Sequence, residues 1–181
     1  MHVDLQIYGL RSDNGNVVAM IAKNSDIRLL LDNIRSVYNT GSIFRTAETL
    51  GISKIYCVGI TPTPVDRFGR KRRDFAKVAL GAEDMVAWEH VGSAGILVRR
   101  LKKEGFSAIA LEQADESVDY KKVRRRRKML IVLGNEVKGV SDNILGLADK
   151  VAEIPVKGNK ESLNVSVAAG IFLFWLIDQW R

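Results

Sequence analysis

Met129-Leu130-Ile131-Val132-Leu133-Gly134-Asn135-Glu136 is the stretch that decides the fold class. Five apolar residues without polar alternation describe a strand buried on both faces, the condition of a central strand in a covered parallel sheet. The strand runs into a tight turn with a carboxylate, Glu136, at its tip. Turns at the carboxyl ends of parallel strands are where α/β proteins place ligands.

Strands and helices alternate on either side of this stretch. Upstream, Ser107–Leu111 reads as a strand, preceded by an amphipathic helix over Ser93–Glu104 that Gly105 stops. Earlier still, strands over Ile27–Leu31 and Lys54–Val58 flank a helix from Gly41 to Leu50, whose Ile43, Ala47 and Leu50 share a face. Met85–Trp88 reads as a further short strand, and the polar segment 113–128 as surface. Downstream come a short helix over Ser141–Ala148, a strand over Val151–Ile154 and a last helix over Leu163–Gln179. This alternation predicts an α/β domain with a mostly parallel sheet and helices on both faces. A single domain over residues 1–181 is expected, with residues 1–26 as a short N-terminal extension and no separate second domain.

The last helix is apolar nearly all round, from Val165 through Ile177. A surface helix should carry a polar face. One without it needs cover on every side, so a homodimer through this helix is expected.

Composition narrows the function classes. The 46% hydrophobic and 27% charged content is that of a globular protein. One cysteine, Cys57, cannot form an internal disulfide, and with His2 and His90 it cannot build a zinc site without several carboxylates. The longest apolar run, Ile171–Ile177, is far short of the roughly 20 residues of a membrane span, and Met1–Leu5 lacks the basic-then-apolar order of a secretory signal. A cytoplasmic protein with no membrane and no metal is the expectation.

Charge is concentrated. Arg67, Arg70, Lys71, Arg72 and Arg73 form one cluster; Lys121, Lys122, Arg124, Arg125, Arg126, Arg127 and Lys128 form another. These windows hold 12 of the 28 basic residues and no acidic one, leaving 16 basic against 21 acidic side chains elsewhere. Like charges packed this densely are relieved by a polyanion, and arginine forks onto phosphate oxygens in pairs. Arg67, Arg70, Lys71, Arg72, Arg73, Arg124, Arg125, Arg126 and Arg127 are therefore the expected nucleic-acid contacts.

Gly134 to Ser141 imitates a phosphate-binding P-loop, but the lysine required after the second glycine is Val140. No G-x-G-x-x-G follows a strand, which excludes the ordinary dinucleotide fingerprint. Two other segments carry polar residues at element ends. Ser162-Leu163-Asn164-Val165-Ser166 separates a strand from the apolar helix, with Ser162 or Asn164 suited to cap it. Asn39-Thr40-Gly41-Ser42-Ile43-Phe44-Arg45 opens another helix, whose free N–H groups favour an anion.

Together these segments resemble the SpoU–TrmH family of RNA ribose 2′-O-methyltransferases, within the SPOUT superfamily. Asn39, Gly41, Arg45 and Ala47 match the first family motif. The strand ending Gly134-Asn135-Glu136 with Gly139 matches the second. Ile154-Pro155 with Ser162, Leu163, Asn164, Ser166 and Ala168 matches the third. The ordered set spans about residues 28–179.

The resemblance implies a C-terminal trefoil knot, a rare exception to unknotted chains. It also implies S-adenosylmethionine as cofactor, touching Leu111, Gly134, Ile154, Ser162 and Leu163. Asn39, Arg45, Glu136, Ser162 and Asn164 match the family's active residues, with Glu136 expected to orient Arg45 or the cofactor. The substrate implied is transfer RNA or else ribosomal RNA, and members are homodimers through the last helix. The alternative from another class is a non-catalytic RNA-binding protein that keeps the knotted fold.

Overall fold

The computed structural model describes residues 25–159 and 162–179. Residues 1–24 of the expected N-terminal extension lie outside them. In chain order the elements are β1 (Asp26–Asp32), α1 (Val37–Thr49), β2 (Lys54–Val58), α2 (Arg73–Ala79), α3 (Ala82–Met85), β3 (Trp88–Val91), α4 (Ala94–Lys103) and β4 (Ser107–Leu111). They continue with β5 (Val118–Asp119), a 3₁₀ turn (Tyr120–Lys122), β6 (Lys128–Leu133), α5 (Asp142–Leu145), β7 (Lys150–Glu153) and α6 (Val165–Asp178).

The strands form one sheet in the order β3-β2-β1-β6-β4-β7-β5, and every pairing is parallel. Alternation along each strand sends side chains to two separate cores. Leu29, Leu31, Met129, Ile131 and Ile109 meet α1, α2 and α6 on one face, through Phe44, Phe75, Phe172 and Leu176. Leu30, Tyr56, Leu130, Val132 and Ala110 meet α4 and α5 on the other, through Leu97, Leu101 and Ile144. A slip of one residue in β6 would exchange the two sets, so register is strongly specified here.

Register also builds the site. Leu31 of β1 stands opposite Leu133 of β6, Leu133 opposite Leu111 of β4, and Leu111 opposite Ala152 of β7. Four adjacent strands therefore end in line, and the loops that leave them are neighbours at one sheet edge.

Two expectations need correction. The segment Met85–Trp88 is not a strand: Gly81 at φ +92 starts a single helical turn, α3, and the strand follows at Trp88–Val91. The span 113–128 is not all surface, since it holds β5 and the buried Val123 and Arg125. The chain alone leaves part of α6 uncovered, as the expectation of a second copy requires: Val167, Ile171 and Phe174 are 50%, 38% and 54% exposed. They recur at four and three residues, forming one stripe.

Candidate active site

The loop after β6 is shaped by its own backbone. Asn135 and Gly139 exchange N–H···O bonds of 3.0 and 2.9 Å, while the Asn135 side chain accepts from the N–H of Val137 and Lys138. Its amide donates to the carbonyl of Asn33 at 2.7 Å, fastening this loop to the one after β1. Gly134 has no room for a side chain, because a Cβ there would lie 2.2 Å from the nitrogen of Val140.

Glu136 emerges from this loop and meets the start of α1. Its carboxylate accepts from the N–H of Arg35 at 2.9 Å, the N–H of Ser36 at 3.1 Å and the amide of Asn39 at 2.8 Å. Ser36 is the N-cap of α1, and its hydroxyl accepts from the N–H of Asn39. Partial burial raises the Glu136 pKa, but the bonds donated by Arg35, Asn39 and Ser36 outweigh it and hold the carboxyl below its ordinary value.

The third segment joins through Asn39. Its side-chain oxygen accepts from the amide of Asn164 at 3.0 Å. Asn164 in turn caps α6, accepting from the N–H of Ser166 and Val167 and from the Ser166 hydroxyl. Glu136, Asn39 and Asn164 thus form one hydrogen-bonded chain drawn from three distant parts of the sequence.

Beside this chain lies a pocket of about 380 Å³. Leu111, Gly134, Ile154, Ser162 and Leu163, the five residues expected to hold the cofactor, all line it, together with Glu136 and Asn164. The structure adds Glu112, which sequence reasoning missed. Its carboxylate reaches across from the end of β4 to the N–H of Val140 at 2.7 Å and so braces the Gly134–Val140 loop. The only signal for it was its place directly after the β4 strand.

Arg45 is not part of this cluster. It lies six residues beyond Asn39 on α1, about 9 Å along the axis and turned away from it. Its side chain is exposed and carries no ion pair among the described residues. It shares an exposed ridge with Tyr38, seven residues earlier. Of the two partners expected for Glu136, Arg45 or the cofactor, no hydrogen bond or ion pair joins it to Arg45; Glu136 holds Asn39 and the turn before α1, and it lines the pocket.

The residues expected to bind RNA separate into classes. Arg125 is buried, and it donates to the carbonyl of Ile177 at 2.8 Å and to the Ser25 hydroxyl at 2.9 Å. It fastens the end of α6 and is withdrawn as an RNA contact. Arg124, Arg126 and Arg127 are exposed. In the first cluster, Arg70 pairs with Asp66, Lys71 with Asp84 and Arg72 with Asp74. Arg67 and Arg73 are exposed with no acidic partner among the described residues. No group of three or more His, Cys, Asp or Glu among the described residues could hold a metal ion, and no described helix is long and apolar enough to cross a membrane.

The SpoU rRNA Methylase family model matches residues 26–174, which contain all three segments. The chain belongs to this family. A tRNA (guanosine(18)-2′-O)-methyltransferase of Aquifex aeolicus is 31% identical over 152 residues, covering 84% of this SpoU-family chain and 69% of the relative. The chain spans about two thirds of the length of the curated relatives it matches. Among solved structures, the A. aeolicus TrmH/SpoU tRNA modifying enzyme superposes with a TM-score of 0.77 at 28% identity, over 91% of this chain and 81% of that one. An AdoMet-bound rRNA methyltransferase from Sinorhizobium meliloti gives 0.78 at 25% identity, over 89% of this chain and 60% of that one.

Proposed function

We propose that this chain is an S-adenosylmethionine-dependent RNA ribose 2′-O-methyltransferase acting on transfer RNA. The observation that carries the reading is the Glu136–Asn39–Asn164 chain beside the 380 Å³ pocket. It joins the three family motifs into one locus. The methyltransferase names of the A. aeolicus relative and of the S. meliloti structure support it from outside the chain.

The pocket suits the cofactor. Its volume lies in the range of about 300–1,000 Å³ usual for small-molecule sites. Leu111, Ile154 and Leu163 supply apolar walls, and Glu112 and Glu153 supply carboxylates compatible with a cation. When bound, S-adenosylmethionine supplies an electrophilic methyl group. Leu111, Gly134, Ile154, Ser162 and Leu163 are the residues proposed to hold it.

The protein's own task is to present a ribose 2′-oxygen and to tolerate negative charge on it. Asn39 and Asn164 position groups through the shared amide chain, Ser162 lies at the pocket wall, and Glu136 keeps Asn39 in one orientation. Arg45 stays protonated, since arginine does not give up its proton in proteins. Its proposed role, from an exposed position outside the amide chain, is to hold a backbone phosphate of the RNA, not to act as base. The proton passes to that phosphate or to water.

A second copy covers the Val167, Ile171 and Phe174 stripe of α6, giving a homodimer; Tyr38, on the adjoining α1, is 75% exposed. The C-terminal region from β6 to α6 carries the trefoil threading of the family, and RNA as substrate fits a cytoplasmic setting. The test is transfer of a radiolabelled methyl group to bulk transfer RNA and ribosomal RNA, with the modified nucleotide mapped by resistance to alkaline cleavage. Incorporation that falls at least 100-fold in Arg45→Ala is expected. Tight RNA binding with no incorporation into either pool overturns the enzymatic reading, and incorporation into ribosomal RNA alone overturns the substrate.

A further inference from the structure

A second cleft opens beside β3 at the edge of the sheet, with a volume of about 750 Å³. Its walls include Phe68, Trp88, His90, Arg67, Arg70 and Ile60. Phe68 is 66% exposed and Ile60 65%. A single exposed apolar side chain is ordinary. Three aromatic rings and several guanidinium groups around one cleft are a different composition, that of a surface which stacks nucleobases.

Phe68 is held in position. Asp66 accepts from the N–H of Phe68 at 2.8 Å, from the N–H of Arg70 at 3.0 Å and from the Arg70 Nε at 2.8 Å. Val65 and Lys71 bridge across the same turn. The guanidinium carbons of Arg67 and Arg70 lie 4.7 and 5.0 Å from the centre of the Phe68 ring. His90 is fixed by a contact of 3.0 Å between Nε2 and the carbonyl of Gly59. The loop backbone is thus ordered in advance, and a base stacking on Phe68 displaces the Arg67 guanidinium, which has no acidic partner among the described residues, toward the phosphate beside that base.

Its loop is fastened to the site already described. Ile60 N–H donates to the side chain of Asn33 at 3.3 Å. The Thr61 hydroxyl accepts from the N–H of Ile34 and donates to the carbonyl of Leu31. Arg35 and Ser36, which hold Glu136, follow directly in the chain. The cleft and the pocket therefore share one sheet edge, with β3 three strands from β6, or roughly 14 Å at the usual spacing.

We infer that the cleft between Phe68 and the Trp88–His90 edge strand receives one unpaired nucleobase of the substrate RNA, near the methylated nucleotide. The inference rests on the RNA reading above. Phe68 stacks the base, while Arg67 meets the adjoining phosphate. Every base offers a π face, so the cleft selects unpaired over paired nucleotides and not one base over another.

The test measures binding of three probes: a twelve-nucleotide single-stranded RNA, an abasic oligomer with the same number of phosphates, and a twelve-base-pair RNA duplex. Phe68→Ala should weaken binding of the single strand about tenfold and leave the abasic oligomer and the duplex unchanged. Phe68→Trp should keep the affinity, and Phe68→Leu, which preserves bulk without an aromatic face, should lose it. Arg67→Ala should weaken all three probes alike and lower the salt dependence by about one unit of slope. If Phe68→Ala, with the melting temperature of wild type, binds the single strand as wild type does or loses equally on the abasic oligomer, the stacking assignment falls while the RNA reading stands. If wild type shows no salt-dependent RNA binding and Arg67→Ala changes nothing, both fall.

Discussion

Asn39 accepts a 3.0 Å hydrogen bond from Asn164, a residue 125 positions later in the chain. Since Asn39 also donates to Glu136, its one amide group fixes the relative position of the loops after β1 and β6 and the start of α6. Asn39→Ala removes both bonds and leaves two exposed partners that water can satisfy, so stability should fall by only about 1 kcal/mol. Methyl transfer should fall 100-fold or more, because misplacement by about 1 Å at a reacting centre has that effect. Chemical denaturation and single-turnover transfer, run on the same sample, separate the two.

Gly134→Ala should be a folding variant. The added methyl meets the Val140 nitrogen and the Gly139 carbonyl carbon, both main-chain atoms with nowhere to go. A cost of about 2–3 kcal/mol is expected from overpacking of this kind, with loss of cofactor binding by calorimetry. Wild-type melting in the variant would refute the close approach of strand and loop.

Arg125 and Arg127 lie two residues apart and should behave oppositely. Arg125→Ala breaks charge-assisted bonds to Ile177 and Ser25 and should cost about 2 kcal/mol of stability. Arg127→Ala, on an exposed side chain, should leave melting within about 0.5 kcal/mol while lowering the salt dependence of RNA binding by about one unit of slope. Reversal of the pattern would restore Arg125 to the RNA surface.

As pH falls below about 4.5, the stabilisation from the Glu136 bonds should begin to decline. Its carboxyl titrates lower in the folded chain than in the unfolded one, so the unfolded state takes up the proton first. The stabilisation is complete above the ordinary glutamate pKa and disappears as pH falls through the depressed one. Melting curves of wild type and Glu136→Gln should therefore differ by a constant amount from neutral pH down to about 4.5 and converge below it. A difference that grows on acidification would contradict the hydrogen-bond assignment.

Cys57 is wholly buried, and burial pushes its thiol up to about 12. At neutral pH it should resist a thiol-specific reagent in the native protein and react fully in denaturant. Rapid native labelling would mean that β2 opens locally.

What could be read from the chain followed burial. Met129–Leu133 is covered on both faces, so its residues had no freedom to be polar, and the strand was found to within a residue. The edge strand β3 has Glu89 and His90 facing water and half its backbone unpaired by neighbours, which erased the apolar signal and let the adjoining Met85 mislead. The start of α1 was set four residues late, because Thr40 and Gly41 are poor helix formers and the cap at Ser36 was overlooked. The three motifs converge as expected, but the roles inside them depend on distant partners. Nothing local separates Arg125 from Arg124 or Arg126; a carbonyl 52 residues away does. Glu112 was missed for the same reason, its partner being a main-chain N–H across a loop.

Capping of α6 by Asn164 couples the last helix to the proposed reaction centre. The side chain that caps the first turn is the one that steadies Asn39, so undocking the start of the final helix also releases Asn39. On the proposed roles of these residues, turnover would report whether the first turn of that fourteen-residue element is in place.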